Sequence, residues 1–381
     1  RKTNLLLLIA LFIFTGLFYG QSIGTDESTH VWGVTTDATN NASAQVQALS
    51  HLCRKPTTRI VFDEWQPVSD YTSFVSQIHN VSYIMGELLD SEYMIQYNLQ
   101  QYIDRMNEYL GGVGDKVDIW EVGNEVNGEW CGNTSDVINK ISAAYDIVKA
   151  NNKKAAVTLY YNWNCWENSS HEIFRWTNQN IPSRMKTGLD YVWVSYYEDD
   201  CNGYQPNWQR VFDSLHVIFP NSKLGIGECG TTNSSQKATY MNRYYTMNIT
   251  TPNYVGGYFW WYWRQDCVPY TTKPLWKVLY SAIDSHPYYA PIQGNGITRL
   301  SNYPNPFNPS TMISFYLSEA GKVSLKVYDL LGREVITLIN NKLNAGNYSI
   351  EWNAANYASG IYLYKLTSAN YTVIRKMLLV K

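Results

Sequence analysis

The sequence predicts an α/β protein, a (β/α)8 TIM barrel over residues 24–290 followed by a small antiparallel β-sandwich over 303–381. Three observations lead there. The chain has 381 residues, more than one average domain at roughly 150 residues each. Between about 30 and 285, short β-branched or aromatic runs alternate eight times with stretches of helical periodicity. Parallel strands need a crossover helix between them, and eight such units in about 255 residues fit a closed barrel. After residue 299 the pattern changes to short alternating strands. The charge changes with it: residues 21–298 carry 19 Lys/Arg and 28 Asp/Glu, a balance of −9, whereas residues 299–381 carry 9 and 4, a balance of +5.

The first segment is a leader. Arg1 and Lys2 precede an apolar run, Leu5 to Phe18, and Gly20-Gln21 offers a cleavage junction. A run of about 14 residues is short for a bilayer span, so residues 1–20 read as a secretory signal peptide, with an uncleaved anchor as the alternative. The six cysteines, with no CxxC among them, fit an oxidising compartment with one or two disulfides and argue against zinc. No metal and no cofactor is expected. At 45% apolar and 16% charged residues the chain is too apolar to be disordered. The larger unit has no basic tract interleaved with aromatics, which excludes nucleic acid as an expected partner.

The barrel strands are expected at 30–35, 57–63, 81–87, 117–124, 155–161, 189–197, 222–228 and 254–261. The clearest helix lies between the fourth and fifth, with Val137, Ile138, Ile141, Tyr145 and Val148 on one stripe. An open doubly wound sheet is the competing architecture. It would carry a Gly-rich phosphate loop after its first strand, and none follows His30-Val31-Trp32-Gly33-Val34.

In a barrel, chemistry belongs at the carboxyl ends of the strands. Those ends read Asp63-Glu64-Trp65, then Glu87 and Asp90, then Gly123-Asn124-Glu125 with Asn127 and Trp130, then Tyr160, Trp163 and Trp166. Strand six ends in Ser195-Tyr196-Tyr197-Glu198-Asp199-Asp200, strand seven in Gly227-Glu228-Cys229 and strand eight in Trp260-Trp261-Tyr262-Trp263. Carboxylates and aromatics crowd one rim, while GxSxG and HExxH are absent, which disfavours serine hydrolases and zinc peptidases. Aromatic faces and carboxylates suit a neutral sugar polymer, whose rings stack and whose hydroxyls need polar partners. Trp65, Trp163 and Trp166 at loop mouths are the expected sugar platforms. Trp120 and Cys229 read as core, Glu121 as a buried structural carboxylate, and Glu198-Asp199-Asp200 as a solvated loop.

Ile119-Trp120-Glu121-Val122-Gly123-Asn124-Glu125, ending strand four, resembles the acid/base signature of the retaining glycoside hydrolases of clan A. Gly225-Ile226-Gly227-Glu228-Cys229-Gly230, ending strand seven, resembles that clan's nucleophile segment. The resemblance implies Glu125 as acid/base and Glu228 as nucleophile, with Arg59, Asn124, Tyr197 and Trp261 or Trp263 as supporting residues. It departs at Ser195, where many members carry His. The chemistry needs one protonated carboxyl and one ionised carboxylate ~5–5.5 Å apart, and ends of strands four and seven face each other across the barrel. Arg59 would keep Glu228 ionised, and apolar walls with the charge of Glu228 would keep Glu125 protonated.

Residues 286–310 are punctuated by Pro287, Pro291, Gly294, Gly296, Pro304, Pro306 and Pro309, with a linker expected at 291–302. Beyond it, strands are expected at 311–318, 322–329, 332–339, 347–353, 360–367 and 371–380. Tyr303-Pro304-Asn305-Pro306-Phe307-Asn308-Pro309, Val327-Tyr328-Asp329-Leu330-Leu331-Gly332-Arg333 and Ala358-Ser359-Gly360-Ile361-Tyr362 resemble segments of the type A sorting domain of the type IX secretion system. This implies that machinery as a partner and export through the periplasm of a Gram-negative bacterium. A carbohydrate-binding module is the alternative, and no aromatic ladder supports it. The expected function is a secreted, endo-acting retaining β-glycanase that cleaves a polysaccharide or oligosaccharide by double displacement. The competing functions are an exo-glycosidase or transglycosylase with the same residues, and a non-catalytic sugar-binding barrel.

Overall fold

The computed structural model describes residues 30–163, 165, 168–285, 297–317, 319–368 and 371–381. The expected signal peptide lies outside the described residues. Eight parallel strands close a barrel in sequence order: β1 (Val31–Thr36), β2 (Thr57–Val61), β3 (Tyr83–Glu87), β4 (Ile119–Glu121), β5 (Lys154–Tyr160), β6 (Tyr191–Tyr196), β7 (Lys223–Cys229) and β8 (Tyr254–Trp260). Closure is made by β1, which pairs with β2 on one side and β8 on the other. At least one helix separates each strand from the next, so the polypeptide returns over the outside each time and all carboxyl ends share one rim.

Packing follows the sequence pattern. In the helix Thr134–Ala150, Val137, Ile141, Tyr145 and Val148 are buried and Ile138 is half-buried. The helix Leu99–Val113 begins with a capping box between Asn98 and Gln101, which fixes where the loop after β3 ends. Inside the barrel, Trp193 stacks on Tyr191 at 5.1 Å and meets Phe259 edge-on at 5.4 Å. That filling leaves no room on the β7–β8 wall. Gly257 has φ 93°, and a Cβ there would fall 2.2 Å from the Ile226 carbonyl oxygen.

β4 is shorter than the expected 117–124. Its pairing with β5 continues through Val122 N–H to the Ala156 carbonyl and Thr158 N–H to the Gly123 carbonyl. The regular ladder nevertheless stops at Glu121, and Glu125 follows in a left-handed conformation, φ 44°. A non-glycine residue held there costs about 1–3 kcal/mol, and such strain concentrates at functional sites.

The C-terminal unit has seven strands rather than six. They are β9 (Ile297–Tyr303), β10 (Ser310–Leu317), β11 (Gly321–Tyr328), β12 (Glu334–Leu343), β13 (Gly346–Asn353), β14 (Gly360–Ser368) and β15 (Tyr371–Leu379). Two antiparallel sheets, β13-β10-β9 and β12-β11-β14-β15, enclose a core that includes Phe315, Leu325, Trp352 and Tyr364. The strand missed in the sequence is β9. It occupies part of the expected linker, because residues 297–303 between Gly296 and Pro304 are free of Pro and Gly and pair antiparallel with β10. β12 starts later than expected, since Gly332 (φ 78°) belongs to the turn in which the Asp329 carboxylate accepts from Leu331 and Arg333 N–H.

The barrel and the sandwich bury separate hydrophobic clusters. A chain ending at residue 296 should therefore keep a cooperative thermal transition and barrel-type circular dichroism. Loss of cooperativity on truncation would mean that the two units form one core.

Candidate active site

Carboxyl-end residues of the barrel line a cleft of about 340 Å3 that contains Asp90, Ser91, Glu92, Asn124, Glu125, Trp130, Tyr160, Tyr197, Asp200, Glu228 and Trp261. Glu125 and Glu228, on loops and strands far apart in sequence, meet here through β6. Ser195 stands opposite Glu228 in the β6–β7 register. Its hydroxyl donates to Glu125 Oε1 at 2.5 Å. Neighbouring strands run about 4.8 Å apart, so Ser195 bonds one glutamate and stands one strand away from the other.

The two carboxyls have different surroundings. Glu228 Oε2 accepts from Arg59 Nη1 at 2.7 Å, and Oε1 accepts from the Tyr197 hydroxyl at 2.5 Å. Burial raises its pKa, while Arg59 and then Tyr197 pull against that rise. Among the described residues no cation is paired with Glu125. Its oxygens accept from the Ser195 and Ser91 hydroxyls, and Ser91 in turn accepts from Trp130 Nε1 at 2.9 Å. Burial first, and then the charge of Glu228, push Glu125 up to about 8. Burial thus acts on both carboxyls, opposed at Glu228 by a guanidinium and a phenol and at Glu125 by two hydroxyls alone.

Arg59 lies beneath the cleft with no exposed surface. Its Nε and Nη2 chelate Glu121 at 2.6 and 3.0 Å, and Nη2 lies 3.2 Å from Glu87 Oε1. Glu121 also accepts from the Thr158 hydroxyl. It is a buried structural carboxylate, as expected. Glu87 is not a rim residue but a buried one.

The turn after β4 is shaped by a close approach. Gly128 N–H bonds the Glu125 carbonyl at 2.6 Å, and a Cβ on Gly128 would fall 2.5 Å from the Trp130 ring. Trp130 meets Tyr160 edge-on at 5.2 Å and remains 40% exposed over the cleft. Asn124 is buried, and its Oδ1 has no hydrogen-bond partner among the described residues. An acceptor left so at a cleft wall is ready for a ligand hydroxyl.

The structure thus brings together Glu125, Glu228, Asn124, Tyr197 and Trp261, with Arg59 below. Trp263 is a correction. It is fully buried, because β8 ends at Trp260 and the chain turns into the helix Trp263–Cys267, which carries this indole into the core. Trp65 and Trp163 are exposed but are not among the residues lining the cleft; Trp65 stacks on Tyr97 at 4.0 Å instead. Trp166 lies outside the described residues. Glu198 departs from the expected solvated loop, being buried and paired with Arg243. Ser91 was not named by sequence reasoning, while Trp130 and Asp200 were read on the rim without a role in the site. Asp200 reaches the cleft beside the Cys165–Cys201 disulfide, which ties the loop after β5 to the loop after β6. Among the described residues the remaining four cysteines are free and buried.

The Ser195 hydroxyl favours the ionised form of Glu125. Ser195→Ala should therefore raise the Glu125 pKa above its starting value of about 8. Carboxyl 13C NMR titration reads this directly, and an unchanged or lower pKa would contradict the assignment of the hydrogen bond.

Residues 301–381 match a family described as "Secretion system C-terminal sorting domain". No curated protein matches the chain by sequence. Among solved structures, the chain is similar to the endo-beta-1,4-mannanase from Thermotoga petrophila, at 10% identity and TM-score 0.43, covering 92% of this chain and 97% of that one. It is similar also to a GH30 endoxylanase from Clostridium papyrosolvens, at 11% identity and TM-score 0.44, covering 85% and 94%. A third is Saccharomyces cerevisiae Gas2p in complex with laminaripentaose, at 12% identity and TM-score 0.46, covering 68% of this chain and 66% of that one.

Proposed function

We propose that this chain is a secreted glycoside hydrolase that cleaves β-glycosidic bonds of a polysaccharide with retention, by double displacement, acting within the chain. The observation that carries the reading is the unequal pair: Glu228 held by a guanidinium and a phenol, Glu125 held by two serine hydroxyls and pushed up to about 8. In the first step Glu228 attacks the anomeric carbon while Glu125 passes its proton to the leaving oxygen. In the second, Glu125, now ionised, takes a proton from water, and the water oxygen displaces Glu228. Ser195, bonded to Glu125 and one strand away from Glu228, supports the short separation that double displacement needs. Asn124 Oδ1 offers an acceptor to a sugar hydroxyl. Trp130 and Trp261 offer faces for pyranose stacking.

The cleft lining favours a neutral glycan. Among the described residues it holds Asp90, Glu92, Glu125, Asp200 and Glu228 and no Lys or Arg. A field of that sign repels uronate or sulfate-bearing polymers. The sorting domain over 301–381 supports secretion or cell-surface display in a bacterium of the Bacteroidetes type, with the type IX machinery as partner.

The pH dependence follows from the two roles. The acid must be protonated, so kcat/KM should fall as pH rises through about 8. The nucleophile must be ionised, so the rate should also fall on the acid side, with a limb above the ordinary carboxylate range because burial raises Glu228. A profile flat from neutral into alkaline pH would contradict the assignment of Glu125.

Glu125→Ala should lower turnover of a natural neutral β-glycan by about 10²–10⁴-fold. Glu228→Ala should abolish it. With an activated aryl glycoside and azide, Glu125→Ala should give the β-azide by attack on the glycosyl-enzyme, and Glu228→Ala the α-azide by direct displacement. NMR of the anomeric configuration decides; swapped products would mean that the roles are reversed. For export, removal of 297–381 should leave the protein in the periplasm, and normal appearance outside the cell would overturn the sorting role.

A further inference from the structure

We propose that Glu87 is the uncharged carboxyl of the buried Arg59 cluster, a positioning residue that leaves the guanidinium's charge to Glu228. The inference deepens the reading of Glu228 as nucleophile and rests on it for its kinetic arm.

The geometry is a count of charges and partners. Arg59, Glu87 and Glu121 have no exposed surface and Glu228 has 5%. One cation therefore faces three carboxyls away from water. If all three were ionised the cluster would carry two uncompensated negative charges, each costing several kcal/mol to bury. A proton goes where the anion is least supported. Glu121 is chelated by two Arg59 nitrogens and accepts from Thr158. Glu228 accepts from Arg59 and Tyr197. Neither oxygen of Glu87 accepts a hydrogen bond among the described residues, and its contact with Arg59 is a 3.2 Å approach of an Nη2 already committed to Glu121.

The other groups around Glu87 point the same way. Glu121 is its register partner on β4, Glu228 faces it from β7 and Asp90 from the loop beyond β3. Tyr102, from the helix Leu99–Val113, is the neighbouring phenol and donates to the Val122 carbonyl. Arg59 is the one cation paired with these carboxyls among the described residues; Arg105, on the same helix as Tyr102, donates to the Leu88 and Phe62 carbonyls instead. Burial raises the Glu87 pKa well above the glutamate range despite Arg59.

The consequence is electrostatic. An ionised Glu87 would draw on the same guanidinium and weaken its hold on Glu228, which would then stay protonated to higher pH. Neutral, it occupies the space beside Nη2 without competing.

The test uses the full chain labelled with 13C at the glutamate side-chain carboxyl. At neutral pH the Glu87 resonance should sit at the protonated-acid position, ionise only in the alkaline range and vanish in Glu87→Gln. The acid limb of kcat/KM should stay in place in Glu87→Gln, since one neutral group replaces another. In Glu121→Gln, where the carboxyl that chelates Arg59 is lost, it should move down by about one pH unit. A carboxylate resonance for Glu87 at neutral pH, or a matching downward move of the limb in Glu87→Gln, would overturn the proposal. Should Glu87→Gln fail to fold, the wild-type titration alone decides, with Glu87 assigned through its own side-chain protons. The titration needs no catalysis, so a failed nucleophile assignment and a charged Glu87 give separate results.

Discussion

One buried guanidinium sets the terms for this rim. Arg59 sits where β2, β3, β4 and β7 converge, with carboxyls from three of those strands around it. Burial alone would lower its pKa, but the carboxylates around it, Glu121 first, outweigh that. The dependence runs both ways. Removing Arg59 would strand buried carboxyls without a counter-charge, a loss on the order of 3–5 kcal/mol. The same side chain thus also opposes the rise that burial gives Glu228 at the cleft surface.

The second carboxyl depends on the loop rather than on the strand. Glu125 leaves β4 with φ 44°, and the Gly128 turn and the Trp130 ring pin that conformation. Ser91 and Ser195 then hold its two oxygens from opposite sides. Burial raises both glutamates, but at this position hydroxyls alone oppose it, whereas Arg59 and Tyr197 oppose it at Glu228. The Cys165–Cys201 bridge closes a loop of 36 residues and is worth about 3–4 kcal/mol through the unfolded chain. It also fixes the loop that delivers Asp200.

Much of this was legible in the sequence. The eight strands announced themselves by alternation, and parallel connection puts their carboxyl ends on one rim whatever the details. Glu125, Glu228, Asn124 and Tyr197 followed from that rule together with the resemblance. Side-chain direction did not follow. Glu87 ends β3 like a rim residue but points into the arginine cluster, and Trp263 lies two residues beyond Trp261 on a helix that turns it inward. Loop reach was equally hidden. Trp65 and Trp163 stand at loop mouths yet outside the cleft, whereas Trp130 arrives over it because Gly128 permits the approach. The departure at Ser195 was visible as a missing histidine. Its role as the hydroxyl joining β6 to Glu125 needed the register. β9 was masked by the Pro/Gly punctuation on either side of it.

The central claim is that Glu228 bonds covalently to the sugar. Incubation with a panel of activated 2-deoxy-2-fluoro glycosides slows both steps and lets the adduct accumulate, because fluorine at C2 destabilises the oxocarbenium-like transition states. Mass spectrometry of the digested protein should find one glycosyl unit on the peptide that contains Glu228, released on adding an acceptor sugar. An adduct on Glu125 would contradict the account, as would hydrolysis of a natural glycan with inversion of configuration.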